Sequence, residues 1–109
     1  MKIVVLAGGI STEREISIVS GTGICKALRE RGHQAILVDV YCGNENLKVE
    51  SAFEGEYDVD AAVTYMKSFD DKIEEMQKER RGFFGPNVIE LCQQADIVFL
   101  GLHGANGED

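Results

Sequence analysis

A run of apolar, largely β-branched residues, KIVVL at 2–6, passes through two glycines and within a few positions becomes a helical pattern. Few folds accept that succession. Residues 2–6 have the density of a buried strand, and Gly8 and Gly9 allow a sharp turn out of it. Thr12 followed by Glu15 reads as a capping box that opens a helix over 13–31. QAILVDV at 34–40 then reads as a second strand, which makes a βαβ unit with the usual right-handed crossover. The expected class is therefore α/β, a short parallel sheet flanked by helices.

Along the first helix Ile16, Val19, Ile24, Ala27 and Leu28 recur with helical period and are expected to form its buried face, before Gly32 stops it. Gly21 and Gly23 would each cost about 1 kcal/mol in a helix relative to Ala, and close approach to the sheet is the expected reason. From Gly43 the composition turns polar and acidic, so 43–85 reads as an insertion standing apart from the chemistry. Within it Val59, Ala62, Val63, Met66, Phe69, Ile73 and Met76 predict one amphipathic helix over 59–76, its Met and Phe stripe a packing face. Pro86 suits the start of a short helix over 87–94, and IVFL at 97–100 reads as a third buried strand. A glycine-punctuated loop, GLHGANGED at 101–109, follows it.

Loops that leave the carboxyl ends of parallel strands are where open α/β sheets bind ligands, so GGISTEREIS at 8–17 and the 101–109 loop form the candidate site. The first is a poor phosphate cradle. Glu13 and Glu15 already complement the helix dipole and would repel an anion, whereas an ammonium or hydrogen-bond donor is expected near Glu13. Gly21-Thr22-Gly23 lies inside the helix and is no dinucleotide fingerprint, so Asp39 reads as a water-exposed acid at a strand end. Arg14 and Glu15 read as cap and surface-pairing residues, and Ser11 and Ser17 lack the His and Asp pattern of a nucleophilic serine. Cys25, Cys42 and Cys92 are odd in number and widely spaced, which suggests neither disulfide framework nor zinc site. The net charge of −8 argues against nucleic acid or an anionic membrane surface as partner, and no apolar run is long enough to span a membrane. A cytoplasmic location is expected.

GGISTEREISIVSG at 8–21 and LHGANGED at 102–109 occur in order, each directly after a strand. Together they closely resemble the amino-terminal region of D-alanine:D-alanine ligases. The resemblance covers nearly all 109 residues and is weakest over 43–85. It implies a three-layer, Rossmann-like pre-ATP-grasp domain over residues 1–109, belonging to an ATP-dependent carboxylate-amine ligase that joins two D-alanines for peptidoglycan precursors. ATP and Mg²⁺ or Mn²⁺ would be held by the remaining ATP-grasp domains of the parent chain. The fragment itself would carry no cofactor or metal site and would be inactive alone.

Residue by residue, Glu13 matches the family's glutamate that binds the α-amino group of the first D-alanine and helps anchor a closing loop, which makes it the catalytic candidate. Ile16 matches the apolar position near that substrate's methyl group, and His103 the histidine near its carboxylate. Gly8, Gly9 and Gly104 match the loop backbone that lets substrate and neighbouring loops approach closely, while Glu108 and Asp109 match an acidic end that organises its loop. The resemblance also implies a homodimer formed through this domain. Three readings of the function stay open: the D-alanine ligase, a sister ligase using D-lactate or D-serine as acceptor, and a non-catalytic flavodoxin-like binding module.

Overall fold

In the computed structural model, which describes residues 1–80 and 82–101, the elements run β1 (Lys2–Ala7), α1 (Arg14–Glu30), β2 (Gln34–Asp39), α2 (Val59–Lys67), α3 (Ile73–Glu79), α4 (Val88–Gln94) and β3 (Ile97–Leu100). A single 3-10 turn, Val49–Ser51, lies between β2 and α2. The strands form one parallel sheet in the order β2, β1, β3, with Val4 paired to Ile36 on one side and Val98 on the other. This is the α/β, Rossmann-like arrangement expected. Because β1 is central, it is apolar on both faces. Ile3, Val5 and Ala7 pack under α1 and α2 against Ile18, Cys25, Val59, Ala62 and Met66. Val4 and Leu6 face α4 and the 49–53 segment, against Val88, Leu91 and Phe53. Fully burying a side chain of the Val or Ile kind contributes about 1.5–3 kcal/mol, so these two clusters set the layer order.

The face that α1 buries differs from the expected one. Ile24 and Leu28 pack against the core as expected, but Arg14, Ser17, Ile18, Gly21 and Cys25 are the buried residues, whereas Ile16 and Val19 are 53% and 62% exposed and Ala27 is exposed too. At Gly21 the helix lies too close to the sheet for any side chain beneath it. A Cβ at Gly21 would come within 2.8 Å of the Ala7 Cβ and 3.0 Å of Leu37 Cδ1. Gly21 therefore has the packing reason anticipated, but Gly23 faces nothing within 4 Å and has none. Nor does Thr12 cap the helix. Glu13 is the N-cap residue, with no side-chain cap bond, and Ser11 closes the turn by accepting from Glu13 N through Oγ and from Arg14 N through its carbonyl.

The expected single helix over 59–76 is two helices, α2 and α3, broken by the turn at 68–72. Ser68 Oγ donates back to the Tyr65 carbonyl, and Phe69, Asp70 and Lys72 each bond to a carbonyl three residues earlier, so the helix tightens and stops. The Met and Phe stripe packs within this chain: Met66 is 2% exposed, and Phe69 and Met76 flank Ile73. The insertion enters and leaves at one point. Gly43 and Gly85 pass backbone against backbone, where a Cβ on Gly43 would sit 2.2 Å from the Pro86 carbonyl oxygen. Asn44 N donates to Pro86 O and Gly85 N to Val40 O, which sews the two ends together.

β3 occupies 97–100 as expected but is not buried. Ile97, Val98, Phe99 and Leu100 are all exposed, Leu100 by 65%. Among the described residues it is the edge strand of the sheet, so its side chains lack a neighbour on the outer side, yet it is apolar toward both faces in the manner of a strand covered from above and below. No helix among the described residues is long and apolar enough to cross a membrane.

Candidate functional site

After β1 the chain continues to β2 on one side, and only later returns to β3 on the other. The sheet therefore divides at the carboxyl ends of β1 and β3, with α1 on one face and α4 on the opposite one, which is where an α/β sheet opens a crevice. Gly8 and Gly9 carry the chain out of β1 with φ of +78° and +88°, a conformation that side chains disfavour twice in succession. Their amides are already committed. Gly8 N donates to Ser17 Oγ at 3.0 Å and Gly9 N to Asp39 Oδ1 at 3.3 Å, so the loop does not present the free N–H groups that hold a phosphate.

Beneath the loop lies a buried ion pair. Arg14 Nη2 stands 2.6 Å from Asp39 Oδ2, the two side chains being 10% and 0% exposed. The same guanidinium donates to the Gly9 carbonyl at 2.9 Å, the Met66 carbonyl at 2.8 Å and Asp70 Oδ1 at 2.9 Å. Asp39 Oδ1 accepts from the amides of Gly9, Tyr41 and Cys42, and Oδ2 meets the Arg14 guanidinium in the ion pair. Burial works against the charge on Arg14, but hydrogen bonding and attraction from Asp39, with Asp70 adding to them, outweigh it and raise the pKa above the ordinary arginine value. Two sequence expectations are corrected here. Asp39 is not a water-exposed acid, and Arg14 is neither cap nor surface residue; each is buried because the other is. Glu15, by contrast, does lie on the surface, 3.2 Å from Lys67 Nζ.

The two candidate loops are tied by a serine. Ser17 Oγ, buried, accepts from Gly8 N and donates to the Gly101 carbonyl at 2.6 Å, while Gly101 N donates to Leu6 O at 2.8 Å. Glu13 sits half-buried at the top of this arrangement, and among the described residues no side chain engages its carboxylate. Ile16 is three positions on, one helical turn away on the same side, and open. A carboxylate beside an exposed apolar side chain suits a small cation with an apolar substituent. His103, Gly104, Glu108 and Asp109 lie outside the described residues.

The 43–85 segment, expected to stand apart from the chemistry, does contact the glycine-loop support: Met66 and Asp70 both hold Arg14, the residue next to Glu13. Sequence reading gave Arg14, Asp39 and Ser17 no part in the site and did not single out Asp70. One signal was available: an arginine in the first turn of a helix opposes the dipole and calls for an anion elsewhere in the fold. A cavity of about 780 Å³ lies at the far end of α1 between Arg29, Tyr57 and the Lys26–Asp60 pair, away from the Gly8–Gly9 turn. Among the described residues no cluster of His, Cys, Asp and Glu could hold a metal ion.

Residues 2–109 match a family model described as D-ala D-ala ligase N-terminus. The chain is 46% identical over 118 residues to the D-alanine--D-alanine ligase of Lacticaseibacillus casei, covering all of this chain and 32% of that protein. The corresponding ligase of Pediococcus pentosaceus is 41% identical, again with all of this chain and 32% of the relative covered. That of Leptospira interrogans is 42% identical over 110 residues, which is 99% of this chain and 29% of the relative. The chain thus spans about a third of the length of these relatives.

Proposed function

The chain belongs to the family of D-alanine:D-alanine ligase amino-terminal domains, and on that footing we propose that it is the first part of an ATP-dependent ligase that joins two D-alanines for peptidoglycan precursors in the cytoplasm. Its contribution is to the seat of the first D-alanine. The observation that carries this reading is the Glu13 carboxylate, unengaged among the described residues, standing on an anchored loop at the division of the sheet, with Ile16 one turn away. Glu13 pairs with the substrate ammonium, Ile16 meets its methyl group, and His103 donates to its carboxylate. A carboxylate held in place before the substrate arrives loses little on binding, which is how fixed dipoles and charges contribute to the step that follows.

The described residues do not fit a nucleotide: the glycine-loop amides of Gly8 and Gly9 are occupied, Arg14 is fully engaged, and no cluster suits a divalent ion. On this reading ATP and Mg²⁺ or Mn²⁺ are held by ATP-grasp domains of the parent protein, and residues 1–109 alone are inactive. The same domains cover the open side of β3.

The test is D-alanine-dependent phosphate release and dipeptide formation by the full-length parent, with D-lactate and D-serine offered as competing acceptors. D-alanyl-D-alanine is the expected main product. Glu13→Gln should weaken use of the first D-alanine by about tenfold or more while sparing ATP binding, because a charge-assisted bond to the ammonium becomes a neutral one. Equal loss toward D-alanine and ATP in a folded protein would refute the assignment of Glu13. A main product containing D-lactate or D-serine would keep the first-substrate seat and make the parent a sister ligase.

A further inference from the structure

Among the described residues, the buried charged side chains are Arg14 and Asp39. A buried ion pair is a poor device for stability, since packed apolar residues of similar volume usually do as well or better. Arg14 is also in the first turn of α1, where a positive charge opposes the helix dipole. Its presence there calls for another reason, and its contacts supply one. The guanidinium fork reaches three parts of the chain at once: the glycine loop at Gly9 O, the end of β2 at Asp39, and the insertion at Met66 O and Asp70. The loop rests directly on this pair, for a Cβ on Gly8 would lie 2.8 Å from Asp39 Cγ and 3.0 Å from Arg14 Nη1. Glu13 is the residue immediately before Arg14, so whatever holds the fork holds the turn that aims the Glu13 carboxylate.

We propose that Arg14 is a positioning residue for the first D-alanine, and that Asp70 lets the 43–85 insertion take part in aiming Glu13 through it. The proposal rests on the reading of Glu13 as the group that binds the substrate amine. Asp70 is informative because it is 43% exposed in its side chain and touches Arg14 without touching the loop. An insertion that served only to cover the sheet would have no need of that contact, since Val59, Ala62 and Met66 already make the apolar one.

The experiment is steady-state kinetics of the full-length parent and its variants, with D-alanine and ATP varied separately. Arg14→Lys keeps the charge but loses the fork, and it should raise the KM for the first D-alanine about tenfold while the KM for ATP stays within roughly twofold. Asp70→Asn should raise the same KM by about threefold, and should add nothing in the Arg14→Lys background, where its partner fork is already gone. Lys26→Ala, which cuts the surface pair between α1 and α2, should leave both KM values unchanged. Should Arg14→Lys fail to fold, Asp70→Asn decides alone. An unchanged first-D-alanine KM in Asp70→Asn, or a loss shared equally between kcat and both KM values, overturns the positioning role while leaving the reading of Glu13 in place. A wild-type parent with no D-alanine-dependent turnover overturns both.

Discussion

At the scale of single residues, what the sequence shows of the site is its acid and what it hides is the support beneath. Glu13 stands out because an acid at a helix start beside a strand-end glycine pair has a local meaning. Asp39 and Arg14 do not, because their meaning is a contact across the sheet, 2.6 Å long, between residues far apart in the chain. Ser17 is the plainest such case: it carries no motif, yet one hydroxyl serves Gly8 N and the Gly101 carbonyl together. Ser17→Ala would leave that donor and that acceptor buried without a partner, and the expected loss of stability is about 1–3 kcal/mol. Urea unfolding of the full-length parent measures it. Ser17→Thr, which keeps the hydroxyl, tests whether the bonds or the volume matter: recovery of part of the loss assigns it to the bonds.

Among the described residues, three strands and two of the four α-helices are legible from apolar runs and periodicity with their flanking Gly and Pro, their ends within a residue or so of those observed. What periodicity does not register is which side of a helix faces in when the neighbour is close. Ile16 and Val19 look like core in α1, but the side that faces in carries Ser17, Ile18, Gly21 and Cys25. Likewise the pattern over 59–76 is continuous, and the break at 68–72, where the turn tightens, holds Asp70 and the Met66 carbonyl at Arg14. Gly21 and Gly23 offer a sharp comparison, since they look equivalent in sequence. Gly21→Ala should destabilise by about 1–3 kcal/mol, because its Cβ meets Ala7 at 2.8 Å and α1 must lift. Gly23→Ala, open on all sides, should stabilise by about 0.5–1 kcal/mol through lower unfolded-state entropy. Opposite shifts of the thermal midpoint are the expected result.

For the molecule as a whole, the acidic composition is spread over the surface while several weakly acidic groups are packed inside. Burial, with Asp39 nearby, pushes Cys42 up from 9.0 to about 12; burial likewise lifts Cys25 to about 11 and Tyr57 from 10.0 to about 12. Each is an acid whose folded pKa exceeds its unfolded one. The stability it contributes is therefore complete below the unfolded value and is lost as pH climbs through the folded value. Urea midpoints should hold steady near pH 8 and fall from about pH 9 upward, with a shallower fall in Cys42→Ala. An identical slope in that variant would remove Cys42 from the account.

The meeting of Gly43 and Gly85 bears on chain entropy. An excursion whose ends are already sewn together is a closed loop whatever its contents, and closure cost grows only by about 0.6 kcal/mol for each doubling of length. The length of the excursion is thus nearly without thermodynamic consequence for the sheet that carries it. What does constrain it is reach: the path from the pinch must be long enough to bring Asp70 back to Arg14.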